Sequence, residues 1–517
     1  MSALAVNDAR GLAGGRVTIQ TPSPRPSPAG GEGAREPEDK APGGERGTFG
    51  ERGKVGERVL VVLTLALLVW LPLPLGSNRP WSSALMVLAI ALITVAWALC
   101  VLRQGCRRRF RVLRAAWVPL GLLSLAQVWV AVQWLAGISV DVGETFGYLI
   151  LGCAYSLLFL LVLDLFRTRR RLTLLLTVLT LSGLAQAFFG SFMTLSGIEW
   201  QLFAAPGAGG DVRGPFVNRT HLAGYLEMTL ACGLGLLMAL REGQPWSWRR
   251  LPDLLIGPKL RIRLALVVMV IALVMSHSRM GNSAFFTSLL LIGGLFVLAN
   301  PQHRLRNGLL LASLLLIDLL IVSQFFGLDK LKARLEQTQF EDLVVNGEVV
   351  RHENVDRDDI LVYAWPQWRE RPWVGFGAGT FETSFPRYPG ADVTGHVDHA
   401  HNDVLQFAIE FGLIGLLPLG LFVLWSLALA LRALWWRESL YRSGVGLGVA
   451  VGILSLLIHS LSDFNLQIPA NAATFVTLCA IAVLARHHPT SAGPGKARRH
   501  RENPPTPRKG VGWGEGG

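Results

Sequence analysis

Charged residues are scarce in this sequence. Only 16% of the 517 residues are Asp, Glu, Lys or Arg, whereas 51% are hydrophobic, and the mean hydropathy is +0.40. A soluble domain of ordinary composition is about 25% charged. The apolar residues also gather into runs of about 20, the length that a helix needs to cross a hydrocarbon core. The shortage of charge therefore argues against a string of soluble domains and predicts a polytopic integral membrane protein.

Cysteine is also rare, with five residues in the whole chain. Cys100, Cys153, Cys232 and Cys479 fall within predicted spans, and Cys106 falls in a basic linker. Because none lies in a predicted outer loop, no extracytoplasmic disulfide is expected. A cleavable signal peptide is not expected either, since no short apolar run with a small-residue cleavage site precedes residue 58.

The two ends of the chain lack apolar clusters. Residues 1–57 and 487–517 are rich in Pro, Gly and charged residues. Such composition cannot bury enough apolar surface to offset chain entropy, so we predict a disordered tail at each end. The membrane part is then residues 58–486.

The membrane part contains twelve candidate spans, and we predict an all-α bundle with a long, partly helical extracytoplasmic loop at 327–402, between spans nine and ten. The linkers after spans two, four, six, eight and ten are rich in Arg and Lys, whereas the other short linkers contain only four arginines. Short cytoplasmic loops are enriched in basic residues, so this asymmetry predicts that both termini are cytoplasmic. The spans are predicted at 59–75, 81–102, 116–136, 147–166, 172–196, 221–240, 262–278, 283–299, 308–326, 403–431, 444–462 and 469–485.

The formal net charge of +13 follows largely from these basic linkers. We interpret it as a topology signal with contacts to anionic membrane lipids, rather than as a surface for nucleic acid. The few acids in or at the ends of spans are Asp164, Glu227 and Asp318. A transporter would need polar groups at mid-depth and matching broken helices in two halves, and the sequence shows no clear internal repeat.

Unusual polar residues gather on the predicted outer face, in segments 212–225, 276–282, 327–402 and 462–472. Ionisable groups near a bilayer are costly, so a cluster on one face is a hypothesis for a functional site. Arg279 suits either a snorkelling helix end or a phosphate clamp. Arg213 and Arg219 flank a Gly-Pro turn whose helix start can face an anion or can be an ordinary capped start.

The end of the long loop contains a cluster of histidines. His396, Asp398, His399 and His401 are possible metal ligands, but their spacing matches no known closed site, and we expect no metal. The alternative is one working histidine, His401, where the loop enters span ten. A neutral imidazole can take a proton from an attacking hydroxyl. Polar side chains beside it, which could support it, are Asn402, Asp403 and Gln406.

Five segments together resemble the O-antigen ligase / Wzy polymerase C-terminal superfamily. They are RGPFVNRTHLAGYL, SHSRMGNSAF, WRERPWVGFGAGTFETSFPRY, HAHNDVLQFAIEFGLIGLLPL and HSLSDFNLQIPANA. The resemblance implies a metal-independent, inverting glycosyltransferase without a cofactor, in the bacterial cytoplasmic membrane. It would move a glycan from an undecaprenyl-diphosphate-linked donor to a hydroxyl of a lipid A-core, glycan or protein acceptor, on the periplasmic face.

The resemblance also implies residue roles. His401 matches the histidine proposed to activate the acceptor hydroxyl, and Arg279 matches an arginine that holds the donor diphosphate. Arg213 is our choice for a second such arginine, with Arg219 as the alternative. Asp463 resembles an acid that orients the histidine or the acceptor, and Asn402 and Gln406 are expected to support the site. The sequence departs from many relatives in reading Arg219-Thr220-His221 in place of a Pro-Asn type dipeptide.

Three other functions stay open at this point. Two belong to the same superfamily, namely a polymerase that extends the glycan and a transferase that acts on protein. The third is a transporter or flippase for lipid-linked sugars. The position of the polar cluster at one face rather than at mid-depth favours an enzyme.

Overall fold

The computed structural model describes residues 44–104, 116–197, 211–240, 258–301, 357–390, 396–436 and 439–487, with residue 114 and single positions or short stretches between 304 and 351. For residues 44–54, 104, 258–259, 343–345, 348–351 and 357–359 it describes the backbone alone. The chain divides into residues 1–50 and 51–517. In the first unit the description is limited to the backbone of 44–50.

The strands among the described residues form one hairpin, in which β1 (Leu343–Val345) pairs antiparallel with β2 (Glu348–Arg351). Short 3-10 turns occur at Leu75–Ser77, Phe385–Arg387 and Asn465–Gln467. The helices are α1 (Gly44–Trp70), α2 (Pro80–Gln104), α3 (Trp117–Leu135), α4 (Val142–Leu165), α5 (Arg169–Ser196), α6 (Arg219–Ala239), α7 (Pro258–Met275), α8 (Arg279–Ala299), α9 (Arg357–Glu370), α10 (Phe381–Ser384), α11 (Asp403–Leu434), α12 (Leu440–His459) and α13 (Pro469–His487).

Within the described residues, nine helices are long and apolar enough to cross a membrane, namely α2 to α6, α8 and α11 to α13. Each coincides with one of the twelve predicted spans, so the helical membrane class is confirmed. Of the other three, α1 and α7 occupy the positions of spans one and seven. Span nine, at 308–326, and the loop helix predicted after it lie mostly or wholly outside the described residues, so the count of twelve stays a prediction.

Several helices begin earlier in the sequence than hydropathy alone predicts, because polar side chains cap their first turns. The Asp141 carboxylate accepts the backbone N–H groups of Gly143 and Glu144, so α4 begins at Val142 and includes a polar first turn. The Thr168 hydroxyl caps α5 in the same way. Such side chains satisfy backbone donors that have no partner inside the helix. α1 also begins early, at Gly44, which lies inside the predicted N-terminal tail of residues 1–57.

The centre of the bundle is formed by α6, α12 and α13, which are almost entirely buried. Small residues let α6 and α12 approach closely. A Cβ added to Gly444 would lie 2.3 Å from the nitrogen of Ala239, and one added to Gly448 would lie 2.4 Å from the carbonyl oxygen of Ala231. Close contact of this kind is a common way for helices to associate in membranes. It places the polar residues of α6 directly opposite those of α12.

α11 is broken at Gly412, whose φ of 61° and ψ of 178° are not helical. The turn-rich segment 372–377 replaces the lost hydrogen bonds. The nitrogens of Phe376 and Gly377 donate to the carbonyls of Ile409 and Glu410, at 2.9 Å in both cases. On the C-terminal side of the break, the nitrogen of Leu413 donates to the carbonyl of Pro372 at 2.9 Å. The GFGAG segment is thus a tight loop docked into a helix break, which fixes the first turns of α11.

Only glycine fits the closest points of this contact. Gly375 has a φ of +72°, and a Cβ there would lie 2.3 Å from the carbonyl oxygen of Glu410. Polar side chains of α3 complete the joint. Gln133 Nε2 donates to the carbonyls of Val374 and Glu410, and Trp129 Nε1 donates to that of Phe411. Backbone groups freed by the break are therefore satisfied inside the protein, as the interior of a membrane requires.

Candidate active site

His401 lies in the turn directly before α11 and has a φ of +49°, which is uncommon for a residue other than glycine. Asn402 caps the helix, since its Oδ1 accepts the nitrogen of Leu405 at 3.0 Å. Its Nδ2 donates to the carbonyl of Leu461 at 2.9 Å, which ties the turn to the segment between α12 and α13. The backbone conformation of His401 is therefore set by bonds on both sides of it.

A fully buried carboxylate, Asp463, faces three imidazoles. Its Oδ1 lies 3.9 Å from His401 Nδ1 and 3.9 Å from His221 Nε2, and its Oδ2 lies 3.9 Å from His459 Nε2. These separations are too long for hydrogen bonds but are within the range of electrostatic contact. The His401 side chain remains 22% exposed, whereas those of His221 and His459 are 6% and 0% exposed. Among the three, His401 is the one that a substrate can reach most easily.

The ring of Phe464 holds the imidazoles of the site apart. His399 stacks on it at 4.2 Å between centroids, and the edges of His221 and His401 meet it at 4.6 and 4.9 Å. Burial lowers the pKa of His399, against the opposing effect of Asp398. The lowered pKa favours the neutral imidazole, in which Nδ1 is able to accept a hydrogen bond from the Gln406 amide.

Gln406 connects the turn at residues 399–401 to the GFGAG segment at residues 375–379, called the glycine loop below. Its Oε1 accepts the nitrogen of Ala400 at 3.1 Å, and its Nε2 lies 3.2 Å from His399 Nδ1. The same Nε2 donates to Glu410 Oε1 at 3.0 Å, and Glu410 Oε2 accepts the nitrogen of Gly379 at 3.0 Å. A buried amide and carboxylate thus transmit the position of the docked loop to the turn that carries His401.

The three arginines of the predicted donor site lie on two short segments that contact each other. The nitrogen of Val212 donates to the carbonyl of Met275 at 3.1 Å, which joins the segment of Arg213 to the turn before Arg279. Arg219 pairs with Asp211, whose other oxygen lies 2.7 Å from His277 Nδ1. Within the described residues, the guanidinium groups of Arg213 and Arg279 form no ion pair or hydrogen bond.

A third group of buried polar residues was not singled out as part of the site by the sequence. Glu227 of α6 is fully buried, at 0% exposure. Its Oε2 accepts a hydrogen bond from Ser455 Oγ at 2.5 Å, and its Oε1 lies 2.7 Å from His459 Nδ1. The first turn of α8 also touches it, because a Cβ added to Gly281 would lie 3.0 Å from Glu227 Oε1. The available signal was an acid in an apolar span, which is itself a hypothesis for function.

The structure therefore brings four predicted residues, His401, Asn402, Gln406 and Asp463, into one set of contacts. Arg213, Arg219 and Arg279 form a second set on α6, α8 and the segment before α6. Across the parts of the chain that the structure describes, no group of three His, Cys, Asp or Glu side chains has the arrangement of a metal site. His396 instead contacts Glu382 at 2.7 Å on the surface.

The sequence matches the O-antigen ligase family model over residues 264–420. This range includes Arg279, the glycine loop, His401, Asn402 and Gln406, whereas Arg213, Arg219 and Asp463 lie outside it. No curated protein matches the chain. The nine apolar helices and the family match agree on a membrane glycosyltransferase of the ligase or polymerase type. Residues 264–420 of this integral membrane protein are therefore similar to the O-antigen ligase family.

Proposed function

We propose that the protein transfers a glycan from an undecaprenyl-diphosphate-linked donor to an acceptor hydroxyl, at the outer face of the bacterial cytoplasmic membrane. The observation that carries this proposal is the setting of His401. Its partly exposed imidazole is held in a constrained turn, with Nδ1 facing the buried carboxylate of Asp463 at 3.9 Å. A histidine with one nitrogen directed at a carboxylate and the other available to substrate has the arrangement of a general base.

In this proposal, Asp463 favours the tautomer of His401 that carries its proton on Nδ1. Nε2 is then free to accept the proton of the acceptor hydroxyl. The acceptor oxygen forms a bond to the anomeric carbon, and the bond between that carbon and the lipid diphosphate breaks. The diphosphate leaves with the electron pair, and because the acceptor oxygen attacks from the opposite face in a single displacement, the configuration at the anomeric carbon is inverted.

The leaving diphosphate needs compensation for its negative charge. Arg279 and Arg213 are suited to this role because no carboxylate pairs with them among the described residues, and a guanidinium can bind phosphate oxygens with two parallel hydrogen bonds. Arg219 is less suited, since Asp211 already compensates its charge. We therefore assign Arg213 as the second donor arginine and expect transfer to proceed without a metal ion.

The test is a transfer assay with purified protein in detergent, an undecaprenyl-diphosphate glycan donor and a panel of acceptors. We expect wild-type transfer to survive chelator and to fall by about 100-fold or more in His401→Ala. His396→Ala is the matched control, because that imidazole is 70% exposed and contacts only the surface carboxylate of Glu382 among described residues. Normal product from His401→Ala would refute the assignment of the base.

The nature of the acceptor separates the remaining alternatives. Transfer to a lipid A-core indicates a ligase, extension of a lipid-linked glycan indicates a polymerase, and a glycosylated polypeptide indicates a protein transferase. Movement of the donor across liposome membranes without transfer to any acceptor would instead indicate a transporter. In that case the proposed role of His401 would be wrong.

A further inference from the structure

Glu227 and His459 form a buried pair that the proposed mechanism does not use. Both side chains are 0% exposed, and His459 Nδ1 lies 2.7 Å from Glu227 Oε1. Ser455 Oγ donates to the second oxygen of Glu227 at 2.5 Å. A buried acid is costly in a membrane protein, so its retention in the centre of the bundle calls for a reason.

His459 lies between two carboxylates. Its Nδ1 faces Glu227, and its Nε2 faces Asp463 Oδ2 at 3.9 Å. An imidazole can donate from both nitrogens when it is protonated, so His459 is able to compensate both carboxylates at once. The opposite oxygen of Asp463 faces His401 and His221. The side of Asp463 turned away from His401 is therefore in contact with the Glu227–His459 pair.

A purely structural role for the pair would be redundant. The two helices that it joins, α6 and α12, are already packed backbone to backbone through Gly444 and Gly448. A hydrogen-bonded buried acid and base contribute little stability beyond what apolar residues of the same size would provide. The contacts of the pair at its two ends suggest a role in the site instead.

The other end of the pair reaches the donor side. Gly281 is in the first turn of α8, which begins at Arg279, and a Cβ there would lie 3.0 Å from Glu227 Oε1 and 2.8 Å from Ala223 Cβ. The first turn of α8 therefore lies directly on the Glu227 carboxylate. One buried pair thus contacts both the helix of the donor arginine and the carboxylate behind the base.

We propose that the Glu227–His459 pair is a positioning unit, which holds the Asp463 carboxylate turned toward His401 and connects it to the helix that begins with Arg279. This inference rests on the proposed function, because it assigns the pair a role in supporting the same base. Neither residue touches the substrate. Their effect on the reaction is transmitted entirely through Asp463 and α8.

Two substitutions separate this role from folding. Glu227→Gln keeps the size of the side chain but removes its charge. His459→Asn keeps a donor at the position of Nδ1, so the bond to Glu227 is retained, but it removes the nitrogen that faces Asp463. We expect each to lower kcat at least about tenfold, with a smaller effect on the KM for the donor.

A double-mutant cycle with Asp463→Asn then tests whether the groups act as one unit. If they do, adding Glu227→Gln to Asp463→Asn causes little further loss. Asp164→Asn is the matched control, because Asp164 is also a buried acid of a span but contacts Arg167 and Trp97 at the other end of α4. Losses that simply multiply in the double variant would overturn the proposal.

A second measurement does not depend on transfer. Diethyl pyrocarbonate modifies accessible neutral imidazoles, and the rate at His401 can be followed by mass spectrometry at mildly alkaline pH. We expect Asp463→Asn, Glu227→Gln and His459→Asn to slow this modification several-fold and Asp164→Asn to leave it unchanged. A wild-type rate in Glu227→Gln and His459→Asn, with a slow rate in Asp463→Asn, would overturn the proposal.

The two measurements also separate the failure of this inference from the failure of the proposed function. If wild-type protein transfers no glycan to any acceptor, the function is wrong, while the modification rates still decide whether the pair positions His401. If His401→Ala abolishes transfer but the two pair variants behave as wild type, the function stands and the inference is wrong. If Glu227→Gln does not fold, His459→Asn decides the matter.

Discussion

Buried acids at the two ends of the helix bundle have different kinds of partner. Far from His401, at the end of α4, Asp164 accepts hydrogen bonds from Arg167 at 2.9 Å and from Trp97 at 2.7 Å. Glu57 accepts from Arg167 and Arg171 at the same end. There the guanidinium groups of Arg167 and Arg171 pair with carboxylates of the protein itself and form a structural ion-pair network.

At the end that carries His401, the acids are satisfied by other groups. Glu227 accepts from a serine and faces a histidine, and Glu410 accepts from an amide and a backbone nitrogen. Asp403 accepts from Ser460 at 2.7 Å and from the nitrogen of Leu466 at 2.9 Å. With the exception of the Arg219–Asp211 pair, the arginines at this end have no carboxylate partner within the described residues. The comparison indicates that an arginine is available to an anionic substrate only where the protein satisfies its own acids by other means.

The largest expected effect concerns the acid behind the base. Asp463→Asn removes the carboxylate that we propose orients His401, and we expect kcat to fall about 100-fold or more. Asp164→Asn, its counterpart at the opposite end, is expected to leave kcat within about twofold, since Asp164 accepts hydrogen bonds from Arg167 and Trp97 away from His401. The measurement is kcat for both variants with saturating donor and acceptor. Equal losses in the two variants would remove the distinction between the two ends.

The next effect tests which arginines are available. Arg213→Ala and Arg279→Ala should each lose a charge-assisted hydrogen bond to the diphosphate, about 1.5–3 kcal/mol or roughly tenfold to 100-fold in kcat/KM for the donor. Arg219→Ala should lose only a few-fold, because Asp211 already pairs with this arginine. Kinetics at varied donor concentration check the order of the three variants. A larger loss in Arg219→Ala than in Arg213→Ala would reverse our assignment.

A smaller effect is expected when Arg279 is given a carboxylate partner, of the kind that Arg167 has at the opposite end of the bundle. Ser283 is exposed and lies four residues after Arg279 on α8, so Ser283→Asp places a carboxylate within reach of its guanidinium. We expect the KM for the donor to rise a few-fold with kcat almost unchanged. Ser283→Asn, which lacks the charge, is the control. An unchanged KM in the aspartate variant would show that Arg279 does not contact the donor.

The smallest effect is expected at the structural end. The Arg167 side chain is 29% exposed, so its ion pairs with Asp164 and Glu57 are partly screened by solvent. Arg167→Ala should cost about 1 kcal/mol or less in the free energy of unfolding and leave kcat unchanged. Thermal unfolding in detergent and the transfer assay are the two measurements. A loss of activity at full stability would contradict a structural role for this network.

The boundaries of the spans could be predicted because they depend on local properties. Nine predicted spans coincide with observed helices, and the deviations have local causes too. α4 begins at Val142 rather than at 147 because Asp141 caps it, and a polar first turn does not register as a hydrophobic run. The prolines at 72 and 74 likewise agree with the end of α1 at Trp70.

The supporting residues of the candidate site could be predicted only where they are close in the sequence. Asn402 is adjacent to His401 and Gln406 follows about one helical turn later, and both contact the turn of His401 in the structure. Glu227 and His459 were not assigned to the site, since they are 232 residues apart and each reads alone as one polar residue in an apolar helix. The docking of the glycine loop at Gly412 was missed for the same reason, because hydropathy does not reveal which backbone groups lack partners.

The sequence by itself determined that this is a helical membrane protein and placed its unusual polar residues near the ends of particular spans. Hydropathy, capping and charge bias act over a few residues, so these features can be derived from short segments. Only the tertiary structure decided which acid faces which base, and which arginines remain unpaired within the described residues. Those pairings arise where distant helices pack through glycine, and the cost of burying a polar group then makes each group depend on the partner that packing brings to it.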